Sequence, residues 1–136
     1  MQSSSNWEKY LDLLSLLPKF EYQWQTFDCF QFANYIRNFY YLSNLPNIEN
    51  FYKMVTENKA KSLDGVVAFE EILNQETEPV NEVQNFDLVY LQFDGIPCLG
   101  TYLFKDVFFL GNQGAKAAKV HILSKWIVGF YRLTEN

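Results

Sequence analysis

Cysteine and histidine are scarce in this chain, which has two Cys and one His among 136 residues. Two cysteines are too few for a disulfide framework. A structural zinc site takes four ligands that are mostly Cys or His, which exceeds what the chain offers. The composition therefore predicts neither a metal ion nor another cofactor.

Long apolar runs are absent as well. No stretch approaches the roughly 20 apolar residues that a helix needs to cross a bilayer, so no membrane span is expected. The residues after Met1 lack both the basic and the apolar part of a signal peptide, which predicts synthesis in a cytoplasm without secretory export. The net charge of −5 argues against a nucleic-acid partner, because phosphate backbones attract basic proteins.

Apolar and aromatic residues, by contrast, are abundant. They make up 49% and 18% of the chain, and the aromatic residues include 13 Phe and 9 Tyr. This is ample material for one packed core, and the length predicts a single domain over residues 1–136. The excess of aromatic side chains also predicts a contact surface for other proteins.

The N-terminal part has the residue spacing of helices. Apolar residues recur at helical intervals over residues 7–17, and Pro18 follows them. Residues 30–42 form an apolar run without Gly or Pro, and Asp28 before it is a favourable N-cap residue. Two weaker helices and a polar loop are predicted further on, over residues 51–61, 66–73 and 74–85.

The predicted second helix carries Cys29 in its first turn. Unpaired backbone N–H groups and the helix dipole favour a thiolate at this position. Cysteine proteases hold their nucleophile at such a place, so Cys29 is a candidate nucleophile.

From residue 86 onward the pattern changes to the alternation that is typical of β-strands. Asp94-Gly95 is a hairpin signal between the first two strands. The predicted strands cover residues 86–93, 96–104, 107–110, 119–123 and 126–133. Helices followed by an antiparallel meander predict an α+β fold, with N-terminal helices packed on a C-terminal antiparallel sheet.

Three short motifs carry a resemblance to a known family. They are Asp28-Cys29-Phe30-Gln31-Phe32, Phe86-Asp87-Leu88-Val89-Tyr90 and Cys98-Leu99-Gly100-Thr101-Tyr102. Together they resemble the landmarks of the NlpC-type peptidases, small papain-like cysteine hydrolases that cleave peptidoglycan peptides. In that family a Gly usually stands at the position of Phe86, and a His stands at the position of Cys98. The resemblance implies a papain-like, NlpC-type fold for the whole chain.

A closer resemblance is to uncharacterised bacteriophage proteins of this superfamily that are encoded among tail genes. It rests on three features of the sequence. They are the aromatic residues that precede Asp28-Cys29, a predicted strand that contains Leu99-Gly100 but no His, and a C-terminal segment that contains Gly114 and residues 126–132. It implies a virion protein, made in the cytoplasm of the host bacterium and placed near the hub or baseplate of the tail. Its partners would be other tail or baseplate proteins.

The resemblance also implies a site with Cys29 as nucleophile, Cys98 at the position of the base and Asn112 as the third polar residue. A thiol is a poor base here, because the base must also protonate the leaving amine. Cys98 therefore argues against ordinary amide hydrolysis. His121 could replace the base, but its place in a strand predicts a half-exposed side chain outside the site.

Cys29 itself has two interpretations, a reactive thiol or a small buried side chain at a helix start. The motifs place Cys29 close to Cys98. A disulfide between them is disfavoured in a reducing cytoplasm.

Three functions agree with the sequence. The first is a structural or assembly component of a bacteriophage tail with a degenerate peptidase site. The second is an active cysteine hydrolase that binds and cleaves peptidoglycan peptides during infection. The third is a host-side binding module without a phage link. Cys98 at the position of the base favours the first function over the second.

Overall fold

The computed structural model describes residues 2–23, 27–45, 49, 52–53, 70–71, 73–75, 77–93, 95–111 and 116–134. Two helices with defined bounds precede six β-strands, and residues 49, 52–53, 70–71 and 73–75 are helical as well. Helix α1 spans Gln2–Leu16, a 3₁₀ turn spans Leu17–Lys19, and helix α2 spans Cys29–Phe39. The strands are β1 (Thr77–Pro79), β2 (Leu88–Phe93), β3 (Ile96–Leu103), β4 (Asp106–Phe109), β5 (Ala118–His121) and β6 (Ile127–Leu133). The predicted α+β class, with antiparallel strands after helices, is confirmed.

Helix α1 packs its apolar stripe against β4. Tyr10 and Leu13 are buried, and the ring of Tyr10 meets Phe108 edge-on with 5.7 Å between the ring centroids. The Tyr10 hydroxyl also donates a hydrogen bond to the Asp106 carboxylate. The helix begins at Gln2, earlier than the predicted start at residue 7, and the 3₁₀ turn that contains Pro18 follows its end.

Helix α2 ends at Phe39, before the predicted end at residue 42. Tyr41 adopts a left-handed backbone with φ of +63°. Its N–H donates to the carbonyl of Asn38 at 3.0 Å, and the N–H of Leu42 donates to that of Arg37 at 2.7 Å. These two bonds form a Schellman motif, which usually has Gly where Tyr41 stands. The sequence did not predict the end of α2 at Phe39, because no Gly stands at the position of Tyr41.

The six strands form one antiparallel sheet in the order β1-β6-β2-β3-β4-β5. Strands β2 to β5 pair in sequence order as a meander, and Gly95, with φ of +82°, turns the predicted hairpin between β2 and β3. Strand β6 departs from the predicted meander, because it pairs with β2 and β1 instead of β5. Sequential strands are neighbours in most sheets but not in all.

Strand β1 corrects the prediction of a loop over residues 74–85. It pairs Thr77 with Leu133 and Pro79 with Tyr131 at the edge of the sheet. Pro is tolerated on an edge strand because its missing N–H faces away from the ladder. Three residues with a Pro show no alternation, so only the pairing with β6 identifies the strand. The helices predicted over residues 51–61 and 66–73 lie mostly outside the described residues.

Two buried clusters meet at helix α2. Phe30 and Ala33 belong to one cluster together with β2, whose residues Leu88 to Leu91 are all buried. Phe32 and Ile36 belong to the other cluster, which joins α1 to β4. Because both flanks of the helix are covered, α2 is buried on most sides, as predicted. It is not apolar nearly all round, however, since Gln31, Arg37 and Asn38 form a polar and less buried side. It also contacts β3, the strand that carries Cys98.

Candidate functional site

Cys29 is the first residue of α2, as predicted, and Asp28 caps the helix. The carboxylate oxygen Oδ1 of Asp28 accepts hydrogen bonds from the backbone N–H groups of Phe30 at 3.0 Å and Gln31 at 3.1 Å. It also accepts one from the Tyr52 hydroxyl at 3.1 Å. Asp28 is fully buried, and these donors compensate its lost hydration. The cap thereby fixes the backbone from which the Cys29 thiol projects.

Cys98 on β3 lies against Cys29, as the motifs predict. Both thiols are free and buried, Cys98 to 1% exposure and Cys29 to 7%. The Cys98 sulfur lies 3.7 Å from the carbonyl oxygens of Leu99 and Leu110. The interaction of the Cys98 thiol with Cys29, then burial, raises the pKa of Cys98 well above that of an ordinary thiol.

Tyr22 is a tyrosine whose ionisation the thiol pair influences. Burial raises the pKa of the Tyr22 hydroxyl, and the electrostatic influence of Cys29, Asp28 and Cys98 raises it further. The sequence analysis did not single out Tyr22, which lies in the aromatic segment before Asp28. The signal available was its position shortly before Asp28 in that segment. The hydroxyl of Tyr52, which accepts from Gln31 Nε2 at 3.2 Å, completes the polar surroundings of the cap.

The other two predicted residues do not join this group. Asn112 lies outside the described residues. His121 ends β5 as an exposed strand residue, and its Nδ1 accepts a hydrogen bond from the backbone N–H of Leu123 at 3.2 Å. The predicted placement of His121 outside the site therefore agrees with the structure. The catalytic roles of Cys29, Cys98 and Asn112 stay predictions.

The chemistry that this arrangement can perform is limited by its groups. A thiol at a helix N-terminus can act as a nucleophile, provided that a neighbouring group takes and returns a proton. The neighbour of Cys29 is Cys98, whose raised pKa keeps it protonated at neutral pH. The chain's one His is exposed on β5, away from the buried thiols. The two cysteines thus form a buried pair of free thiols.

Among the described residues, no group of three or more His, Cys, Asp or Glu side chains is arranged to hold a metal ion. Within the same ranges, no helix has the length and apolar character needed to cross a bilayer. No protein-family model, curated protein or solved structure matches the chain.

Proposed function

We propose that this chain is a structural or assembly component of a bacteriophage tail, near the hub or baseplate. In this proposal it has a papain-like, NlpC-type fold with a degenerate peptidase site. The observation that carries the proposal is the contact between Cys29 and Cys98, in which a buried thiol occupies the position of a base. The tail location rests on the resemblance of the sequence motifs and makes the mature protein a virion component.

The backbone of Phe86 supports the NlpC-type alignment. Phe86 has φ of +76°, a left-handed conformation that glycine adopts without a steric penalty. The family motif has Gly at this position. The side chain of Phe86 packs on Tyr40 with 5.0 Å between ring centroids, which helps to offset the backbone strain.

The loss of the base has a large expected effect on hydrolysis. A positioned acid–base group typically contributes roughly 10²–10⁴-fold to a reaction rate. Cys98 cannot supply this contribution, because its raised pKa keeps the thiol protonated, so that it can neither accept the proton of Cys29 nor readily donate its own to a leaving amine. A fold that lacks this group fits a protein that acts through contacts.

An active cysteine hydrolase of peptidoglycan peptides is the second candidate function. The observation that favours it is the position of Cys29 at the start of a capped helix. Such a site would have to take its base from a residue outside the described ranges or from the substrate.

One experiment separates the two candidates by activity. The purified protein is incubated with cell-wall peptide fragments beside Cys29→Ala and Cys98→Ala variants, and products are followed by mass spectrometry. We expect no turnover by any of the three proteins. Turnover that disappears in Cys29→Ala would overturn the structural proposal and support the hydrolase.

A second experiment tests the location. Phage particles that encode this chain are purified and analysed by mass spectrometry, with wild-type and Cys29→Ala alleles compared. We expect the protein in both preparations and equal numbers of infectious particles. Its absence from wild-type particles would refute a tail component.

A further inference from the structure

Two groups of large apolar side chains are exposed, besides the separate residues Tyr41 and Ile96. On α1, Trp7 and Leu11 are each 48% exposed. At the turn into β6, Leu123 is 84%, Trp126 41% and Val128 52% exposed. Exposed apolar patches on a folded protein commonly mark contact surfaces.

The exposed part of α1 is acidic. Glu8 and Asp12 are exposed and, at helical spacing, share one side of α1 with Trp7 and Leu11. We call these four residues the α1 face. The neighbouring Lys9 is occupied elsewhere, because its Nζ lies 3.7 Å from the ring centroid of Tyr41.

The exposed part around the turn into β6 is basic. Lys125 is exposed, and its Nζ lies 5.9 Å from the ring centroid of Trp126. We call Leu123, Lys125, Trp126 and Val128 the C-terminal face. The sequence from residue 107 to residue 134 contains no Asp or Glu. Its other basic side chains form ion pairs within the chain, so Lys125 carries the charge of the C-terminal face: Lys116 pairs with Glu21, Lys119 with Asp106 and Arg132 with Asp87.

We propose that the α1 face of one copy of this protein docks on the C-terminal face of a second copy. Each face has an apolar centre and charge of one sign, and the signs are opposite. Such complementarity steers association and selects the partner surface. A second copy is the occupant for which both complementary surfaces are present on this chain. The inference goes beyond the proposed tail function and does not depend on it.

The shapes of the two faces also match. The α1 face is the ridge of a helix, whereas the C-terminal face borders an open groove lined by Pro79, Val80, Ile122, Leu123, Val128 and Tyr131. Helices with two or three exposed apolar anchors commonly bind in such grooves. Because the two faces differ, repeated docking would form a closed ring or an open filament unless two copies exchange both contacts at once.

Charge reversal tests the proposal. Asp12→Lys alters the α1 face, Lys125→Glu alters the C-terminal face, and the double variant restores opposite charges with the signs exchanged. Sedimentation velocity over a range of protein concentrations measures self-association. We expect each single variant to weaken association about fivefold and the double variant to recover most of the loss. High salt should weaken the wild-type association, because it screens exposed charges.

Matched controls separate this contact from general charge effects. Glu71→Lys and Lys19→Glu reverse exposed charges outside both faces and should leave association unchanged. Leu11→Ser and Leu123→Ser should each weaken association, since they remove an apolar anchor at an exposed position. Circular dichroism verifies that all variants remain folded.

Three outcomes would overturn the proposal. One is a wild-type protein that stays monomeric at every concentration. Another is association that the double variant fails to restore. The third is a monomer that instead binds vesicles containing anionic lipid, with the binding lost in Lys125→Glu and Leu123→Ser, since this would assign the C-terminal face to a membrane surface.

Discussion

At the scale of single residues, Asp28 links the local structure to the candidate site. Its carboxylate accepts the first free N–H groups of α2 and the Tyr52 hydroxyl. The helix that carries Cys29 therefore starts at a defined residue, and the thiol pair with Cys98 depends on that start. A buried carboxylate is favourable here only because several donors surround it.

Removing the Asp28 carboxylate should therefore destabilise the fold. We expect Asp28→Ala to lower the free energy of unfolding by about 2–3 kcal/mol, because the helix loses its cap and Tyr52 loses an acceptor. Asp28→Asn keeps an oxygen acceptor and should lose clearly less. Urea unfolding followed by circular dichroism measures both values. Equal losses in the two variants would show that the charge, rather than the cap, is required.

At the scale of elements, the approach of β4 and β2 to β3 depends on Gly100. A Cβ atom at this residue would lie 2.7 Å from Val107 Cγ1, 2.8 Å from Leu91 Cδ1 and 3.1 Å from the Phe108 carbonyl oxygen. Two of these neighbours are buried side chains and one is backbone, so none can move freely. Gly100, the glycine of the third sequence motif, is thus explained by its close packing against the neighbouring strands.

Substituting Gly100 by Ala should strain the centre of the sheet. We expect a loss of about 1–3 kcal/mol of stability, the usual effect of overpacking a core. Gly111→Ala is the matched control. Among the described residues its Cβ would meet Phe109 Cδ2 alone, at 4.0 Å, and the substitution should leave stability nearly unchanged. Thermal unfolding of the two variants compares them directly. Similar melting temperatures for both would contradict the close packing at Gly100.

At the scale of the whole molecule, the aromatic side chains join the helices to the sheet and bury several hydroxyl groups. Burial raises the pKa of Tyr10, Tyr22 and Tyr52 above that of free tyrosine. Burial, with the nearby charge of Asp12, raises the pKa of Tyr40 to about 12. Tyr40 follows the last residue of α2, and its ring packs on Phe86, which precedes β2.

These shifts predict unfolding in alkali. A raised pKa in the folded state contributes stability that is complete below the tyrosine reference value of 10.0 and is lost as the pH rises through the folded value. The free energy of unfolding should fall by up to roughly 1.4 kcal/mol per pH unit for each such tyrosine. Urea unfolding from about pH 8 to about pH 12 measures the slope, and near-ultraviolet absorbance of tyrosinate follows ionisation.

Tyr40→Phe is the control for this prediction. It keeps the ring that packs on Phe86 but removes the ionising hydroxyl. Its stability should therefore fall less steeply with pH than that of the wild type. The same slope in both proteins would mean that Tyr40 does not contribute.

The sequence by itself determined the elements whose signals are local. Helix α2 followed from Asp28 and an unbroken apolar run, and the β2–β3 hairpin followed from Asp94-Gly95 between alternating segments. The proximity of Cys29 and Cys98 was also predictable, but only through the order of short motifs. Helix caps, tight turns and strand alternation are each encoded within a few consecutive residues. They can therefore be recognised without knowing which distant residues pack against them.

Only the tertiary structure decided the features that depend on distant residues. Strand β1 exists because β6 supplies its partner, and β6 lies beside β2 because the chain crosses the sheet after β5. The tertiary structure also brings Tyr22 within electrostatic reach of Cys29 and Cys98. In each case the stabilising contact joins residues that no local pattern connects.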